Sequence, residues 1–89
     1  MAIDIFQDDD VGYRTWMYAN PSGYVVNAER NPKPGYLVLH TAMCDTISPA
    51  PDKAWTDQYI KICSMKRFEL DAWARGLGGR LSECSFCEP

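Results

Sequence analysis

Short apolar runs alternate with polar breaks along the chain, and the period of each run indicates an element. In residues 1–7, Ile3 and Ile5 recur at every second position, which fits an edge strand or an ordered arm. Asp8, Asp9 and Asp10 follow, residues suited to capping and favourably charging a helix N-terminus. Over residues 11–19, Tyr13, Trp16 and Met17 fall at i, i+3, i+4, the apolar face of a short helix that packs as core. Gly12 weakens its first turn. Asn20-Pro21-Ser22-Gly23 is a turn by composition. Tyr24-Val25-Val26-Asn27 reads as a strand of aromatic and β-branched residues. Residues 29–34 are polar, with Pro32 and Pro34, and form a loop. Residues 36–40 are nearly continuous in apolar character and predict a central strand, joined to the first as an antiparallel hairpin.

Residues 45–57 contain Pro49 and Pro51 and read as an excursion over the surface, with Trp55 folding back on the core. Residues 58–63 alternate again. Ile60 and Ile62 take one face and Tyr59, Lys61 and Cys63 the other, which predicts a third strand. Ser64 is placed to cap a helix over residues 65–77, where Leu70, Trp73, Ala74 and Leu77 follow i, i+3, i+4, i+7. Gly76, Gly78 and Gly79 stop it. The predicted fold is a small α+β domain over residues 1–89: an antiparallel three-stranded sheet with an N-terminal and a C-terminal helix.

The chemistry lies at the ends of these elements. The chain has four Cys and one His. His40 and Cys44 form H-x3-C at the end of the second strand, and Cys84 and Cys87 form C-x2-C after the last helix. Two chelating pairs of soft or borderline donors are what a tetrahedral zinc requires, so His40, Cys44, Cys84 and Cys87 are the expected ligands of a structural zinc that closes the fold. With three thiolates and a neutral imidazole, such a site carries roughly −1. The alternatives are a satisfied core His among buried thiols, or a disulfide from Cys44 to Cys84 or Cys87. Cys63 stands outside the paired pattern and reads as a buried or half-buried spectator.

Composition narrows the partners. Apolar residues are 46% of the 89, enough for a globular fold whose modest core a metal would supplement. The net charge of −3 argues against gripping nucleic acid by charge alone. Asp4 and residues 8–10 interrupt any apolar leader, and no run approaches a membrane span, so a cytoplasmic chain without membrane contact is expected. In that compartment short-spaced Cys pairs favour metal over disulfide. No Gly-rich phosphate loop is present, since Gly76-Leu77-Gly78-Gly79 follows a helix instead of opening one. Asp45 and Glu83 adjoin ligands and are available as bases, but four good ligands leave no open position for a catalytic water.

His40-x3-Cys44, a strand, a helix, a Gly-rich break and Cys84-x2-Cys87-x-Pro89 together resemble the N-terminal metal-binding domain of the Ada DNA-repair methyltransferase, and related zinc modules appended to nucleases. The resemblance covers about residues 36–89. Residues 16–47 also resemble short uncharacterised proteins and C-terminal extensions from actinobacteria and their phages. In the Ada-type domain four Cys bind zinc, and the first accepts a methyl group from a DNA phosphotriester. Here that position is His40, and neutral imidazole is a poor methyl acceptor beside a zinc-activated thiolate. Basic residues flank the family's C-x2-C, where this chain has Glu83, Ser85, Phe86 and Glu88. The resemblance therefore implies a zinc module without the repair reaction. Two readings follow. One is a non-catalytic interaction module assisting or regulating a larger protein such as a nuclease, with Tyr18, Tyr36 and Phe86 as exposed anchors. The other is an Ada-like nucleic-acid module using Lys61, Lys66 and Arg67.

Overall fold

The structure is a computed structural model that describes residues 3–44, 46–47 and 55–89. The elements in chain order are β1 (Asp4–Phe6), α1 (Asp10–Ala19), β2 (Tyr24–Glu29), β3 (Leu37–Thr41), β4 (Tyr59–Ser64), α2 (Arg67–Gly76) and β5 (Ser82–Glu83). The strands form one sheet in the order β1-β4-β2-β3-β5. Every neighbouring pair is antiparallel except β3 with β5. The α+β class and both helices match the sequence expectation, whereas the three-stranded antiparallel sheet is corrected to a mixed sheet of five. Of the two added strands, β1 falls where the Ile3/Ile5 alternation allowed an edge strand, and β5 is a short edge that side-chain periodicity does not mark.

β2 is the central strand, not β3. Val25, Val26 and Ala28 are fully buried, so β2 is covered on both faces. Alternation in register then builds two separate cores. On one face Val26 and Ala28 join Leu37, Leu39, Ile60 and Ile62 beneath Leu70 and Ala74 of α2, with Trp73 and Leu77 packed at the side. On the other face Val25 and Cys63 lie beneath Tyr13 and Met17 of α1, with Trp16 and Trp55 packed against them. The helices therefore cover opposite faces. The expected inward residues of both helices pack inward, and α2 buries Glu69 besides.

Local chemistry sets the element ends. Asp9 caps α1 by accepting a hydrogen bond from the Gly12 N–H at 2.9 Å. At Gly23 a Cβ would lie 2.7 Å from the Trp16 ring, so only glycine lets the turn pass beneath α1. Ser64 precedes α2 and holds its entry, accepting from the Lys66 N–H (3.0 Å) and donating to the buried Glu69 carboxylate (2.6 Å). α2 ends with Gly78 at φ +78, where Gly78 N–H donates to Arg75 O and Gly79 N–H to Ala74 O. A Cβ on Gly79 would lie 2.8 Å from Pro34 Cα. This close passage over the β2–β3 loop lays β5 along the free edge of β3.

Asp10 ties the first turn of α1 to the chain entering β4. Its carboxylate accepts from the Thr56 hydroxyl (2.6 Å) and from the backbone N–H groups of Thr56 (2.8 Å) and Trp55 (3.2 Å). The Thr56 hydroxyl foremost holds the carboxyl below the ordinary Asp range; partial desolvation opposes it and the two amide bonds reinforce it. A carboxylate with a depressed folded pKa stabilises fully above its unfolded value, about pH 4, and loses that contribution as pH falls through the folded value. Asp10→Asn is expected to lower stability at pH 7 by about 1 kcal/mol. In urea melts the difference from the parent chain should shrink on going from pH 7 to pH 3, and a gap that stays constant would refute the assignment.

Candidate metal centre

Sheet register explains why four distant residues meet. Val25 of β2 pairs with His40 of β3 on one side and Cys63 of β4 on the other. Cross-strand partners share a face, so Cys63, Val25 and His40 form a row on the α1 side. Val38 pairs with Ser82 and Leu39 with Glu83, which brings Cys84 beside the same row. Pairing continues past β5, where the Cys84 N–H donates to Leu39 O at 2.9 Å. After β3 the chain reverses in a turn closed by Cys44 N–H to Thr41 O (3.1 Å), while Ala42 N–H donates to Gly23 O (3.0 Å). A second bond, Ile47 N–H to Cys44 O (3.1 Å), folds it again, and the Tyr13 hydroxyl anchors this return by donating to Ile47 O at 2.9 Å.

The result is a cluster of His40, Cys44, Cys84 and Cys87 whose donor atoms all lie within 4.8 Å of one another, and this cluster could hold a metal ion. None of the four Cys is in a disulfide, and the Cys44 and Cys84 sulfurs are 3.9 Å apart. The donor set of one imidazole and three sulfurs suits a tetrahedral ion of borderline softness. Backbone N–H groups point at the sulfurs: Phe86 N–H lies 3.4 Å from Cys84 Sγ, and Thr41 N–H 3.4 Å from Cys87 Sγ. Such donors favour thiolate.

The titration directions fit this geometry. Burial pushes the Cys84 thiol up, but the N–H groups of Cys87 and Phe86 and the neighbouring Cys87 and Cys44 sulfurs outweigh it, leaving the thiol below its ordinary value. Cys87 is raised, chiefly by burial and despite the Thr41 N–H. His40 is lowered, first by burial and then by the positive charge of Lys61, so its ring is held in the neutral form a metal ligand needs.

Cys63 is fully buried and its thiol is raised by desolvation. It shares the row with His40 but lies across the intervening β2, two strand spacings or roughly 10 Å away. That separation makes it a core residue. Of the residues expected to touch nucleic acid, one is buried and one is ion-paired. Lys61 is only 3% exposed and donates to Trp55 O at 2.6 Å, with Nζ 5.8 Å from the Tyr13 ring centroid. Burial lowers its pKa to about 8 against the attraction of Cys63 and Asp10. Arg67 pairs with Glu83 of β5 at 2.7 Å and lies 3.8 Å from Asp71, so it braces the sheet edge. Lys66 is exposed, with Nζ 5.9 Å from the Phe68 ring centroid. Among the residues considered as bases, Glu83 is taken up by Arg67, and Asp45 lies outside the described residues, as do Pro49 and Pro51 of the expected excursion.

Sequence reasoning missed Thr46. Its hydroxyl oxygen lies 3.0 Å from Cys44 Sγ and 3.3 Å from His40 Nδ1. No periodicity marks such a residue, which is found only by asking what stands next to a ligand. No family model matches this chain, nor does any curated protein or solved structure.

If Cys63 serves only the core, Cys63→Ala is expected to retain the metal content of the parent chain while losing about 1–2 kcal/mol of packing stability. Elemental analysis beside a denaturant melt measures both. Complete loss of metal from this variant would show that the ligand set is wrong.

Proposed function

We propose that the chain is a small zinc-binding module whose ion is structural, and that it acts by binding a larger protein instead of catalysing a reaction. The observation that carries this reading is the convergence of His40, Cys44, Cys84 and Cys87 within 4.8 Å from two short chelating turns. Zinc is the ion this donor set favours, and four protein donors fill its tetrahedral shell. The ion would join the turn after β3 to the turn after β5, fastening the least supported edge of the sheet. The chain's own groups prepare the site: buried His40 is neutral, and amide N–H groups face the Cys84 and Cys87 sulfurs.

A protein partner is favoured by what the two turns present outward. Met43 lies between His40 and Cys44, and Phe86 between Cys84 and Cys87; their side chains are 65% and 77% exposed. Exposed apolar side chains on metal-braced turns suit anchoring into a partner's pocket. Tyr18 and Tyr36 are likewise exposed, and the Tyr36 ring packs at a tilt against Tyr59 with ring centroids 5.7 Å apart. The resemblance to the Ada-type domain rests on ligand spacing, and His40 in place of the methyl-accepting thiolate argues against methyl transfer. A nuclease is one partner class that the resemblance offers.

Protein purified without chelator should contain one zinc per chain, and chelation or Cys87→Ser should unfold it, because binding energy in such a site is folding energy. Elemental analysis with circular dichroism tests this, and a fully folded metal-free chain would sink it. The zinc-loaded chain should also bind neither duplex nor single-stranded DNA tightly at physiological salt, given its net charge of −3. A submicromolar DNA complex that weakens steeply with salt and is lost in Lys66→Glu would replace the protein-partner reading with the nucleic-acid one.

A further inference from the structure

The Thr46 hydroxyl touches two of the four metal-site residues at once, 3.0 Å from Cys44 Sγ and 3.3 Å from His40 Nδ1. A hydroxyl has one proton to donate and lone pairs to accept. A metal-binding thiolate can only accept, so the Thr46 proton is committed to Cys44 Sγ. What remains toward His40 is a lone pair, and that contact is favourable only if Nδ1 carries a proton. A neutral imidazole protonated at Nδ1 has its free lone pair on Nε2.

We propose that Thr46 is a positioning residue of the metal centre: its hydroxyl donates to Cys44 Sγ, accepts from the Nδ1–H of His40, and thereby fixes Nε2 as the nitrogen offered to the ion. The inference rests on the reading that the cluster holds zinc. The backbone supports the placement. Thr46 lies inside the turn closed by Ile47 N–H to Cys44 O, and Ile47 O is in turn held by the buried Tyr13 hydroxyl. The hydroxyl is thus carried on a segment anchored on both sides, as the outer partner of a ligating histidine must be if it is to orient the ring. Thr46 ties the H-x3-C pair into one unit, so His40 and Cys44 reach the ion already oriented to each other.

The test uses the full chain, Thr46→Val, which keeps the shape and removes the hydroxyl, and Thr46→Ser, which restores it. Zinc affinity is measured by competition with a chromophoric chelator. The His40 tautomer in the zinc-loaded wild type is read from long-range proton–nitrogen NMR correlations. We expect Nε2-bound zinc with a protonated Nδ1, zinc affinity about 10–100-fold weaker in Thr46→Val, and recovery in Thr46→Ser. Zinc on Nδ1 overturns the proposal, as does a Thr46→Val chain that binds as tightly as the wild type. If Thr46→Val does not fold, the wild-type tautomer alone decides. The wild-type titration reports separately on the underlying reading: a chain that takes no zinc overturns both, whereas tight zinc binding with the wrong tautomer overturns only the role of Thr46.

Discussion

Three cysteine sulfurs gathered with one imidazole inside 4.8 Å set the constraint on which this fold turns. As thiolates the sulfurs repel one another in a partly desolvated pocket, and only a shared cation makes the arrangement strongly favourable. As thiols they would be weak donors beside amide groups that point at them. The sheet accepts this demand on one face alone. The opposite face, beneath α2, is built on an aliphatic and aromatic cluster, with the Ser64–Glu69 hydrogen bond as its buried polar contact. The α1 face carries the cluster, the buried Lys61 and the Asp10–Thr56 bonds together.

That division follows from the register of β2. Its alternate residues feed two cores that share no side chain, and a slip of one residue would carry Val25 away from His40 and Cys63. The site is therefore specified by sheet geometry before any ion enters. Ligand separation works the same way. His40 and Cys87 bound a long stretch of chain, and joining them through an ion removes loop entropy from the unfolded state, about 4 kcal/mol for a cross-link of this span.

The His40, Cys44, Cys84 and Cys87 cluster was legible because paired spacing is local: H-x3-C and C-x2-C each place two donor residues within one turn. The helices were legible from Tyr13, Trp16 and Met17, and from Leu70, Trp73, Ala74 and Leu77. β5 was not, since Ser82 and Glu83 are exposed and show no apolar alternation. Its place is set by the glycine turn over Pro34 and by the Arg67–Glu83 pair, both long-range facts. β3 reads as central because its apolar run is continuous, yet its outer neighbour is only this two-residue strand. Lys61 reads as a surface charge, but its carbon stem lies in the α1 core and its ammonium finds a backbone carbonyl. Pattern reveals which residues face inward; it does not reveal a polar group that is buried and bonded.

The brevity of β5 has a kinetic consequence. Along the backbone only two register pairs and the Cys84–Leu39 bond hold the arm that carries two of the four donors, with the Arg67–Glu83 pair beside them, whereas β4 lies along all six residues of β2. Hydrogen-bonded edges this short open locally at far lower cost than the sheet interior. An ion at the cluster would exchange with solvent by the arm lifting from β3, with β1, β2 and β4 still paired. Its residence time would be set by the fraying of one edge, and His40 and Cys44 would remain as a half-site poised to recapture it.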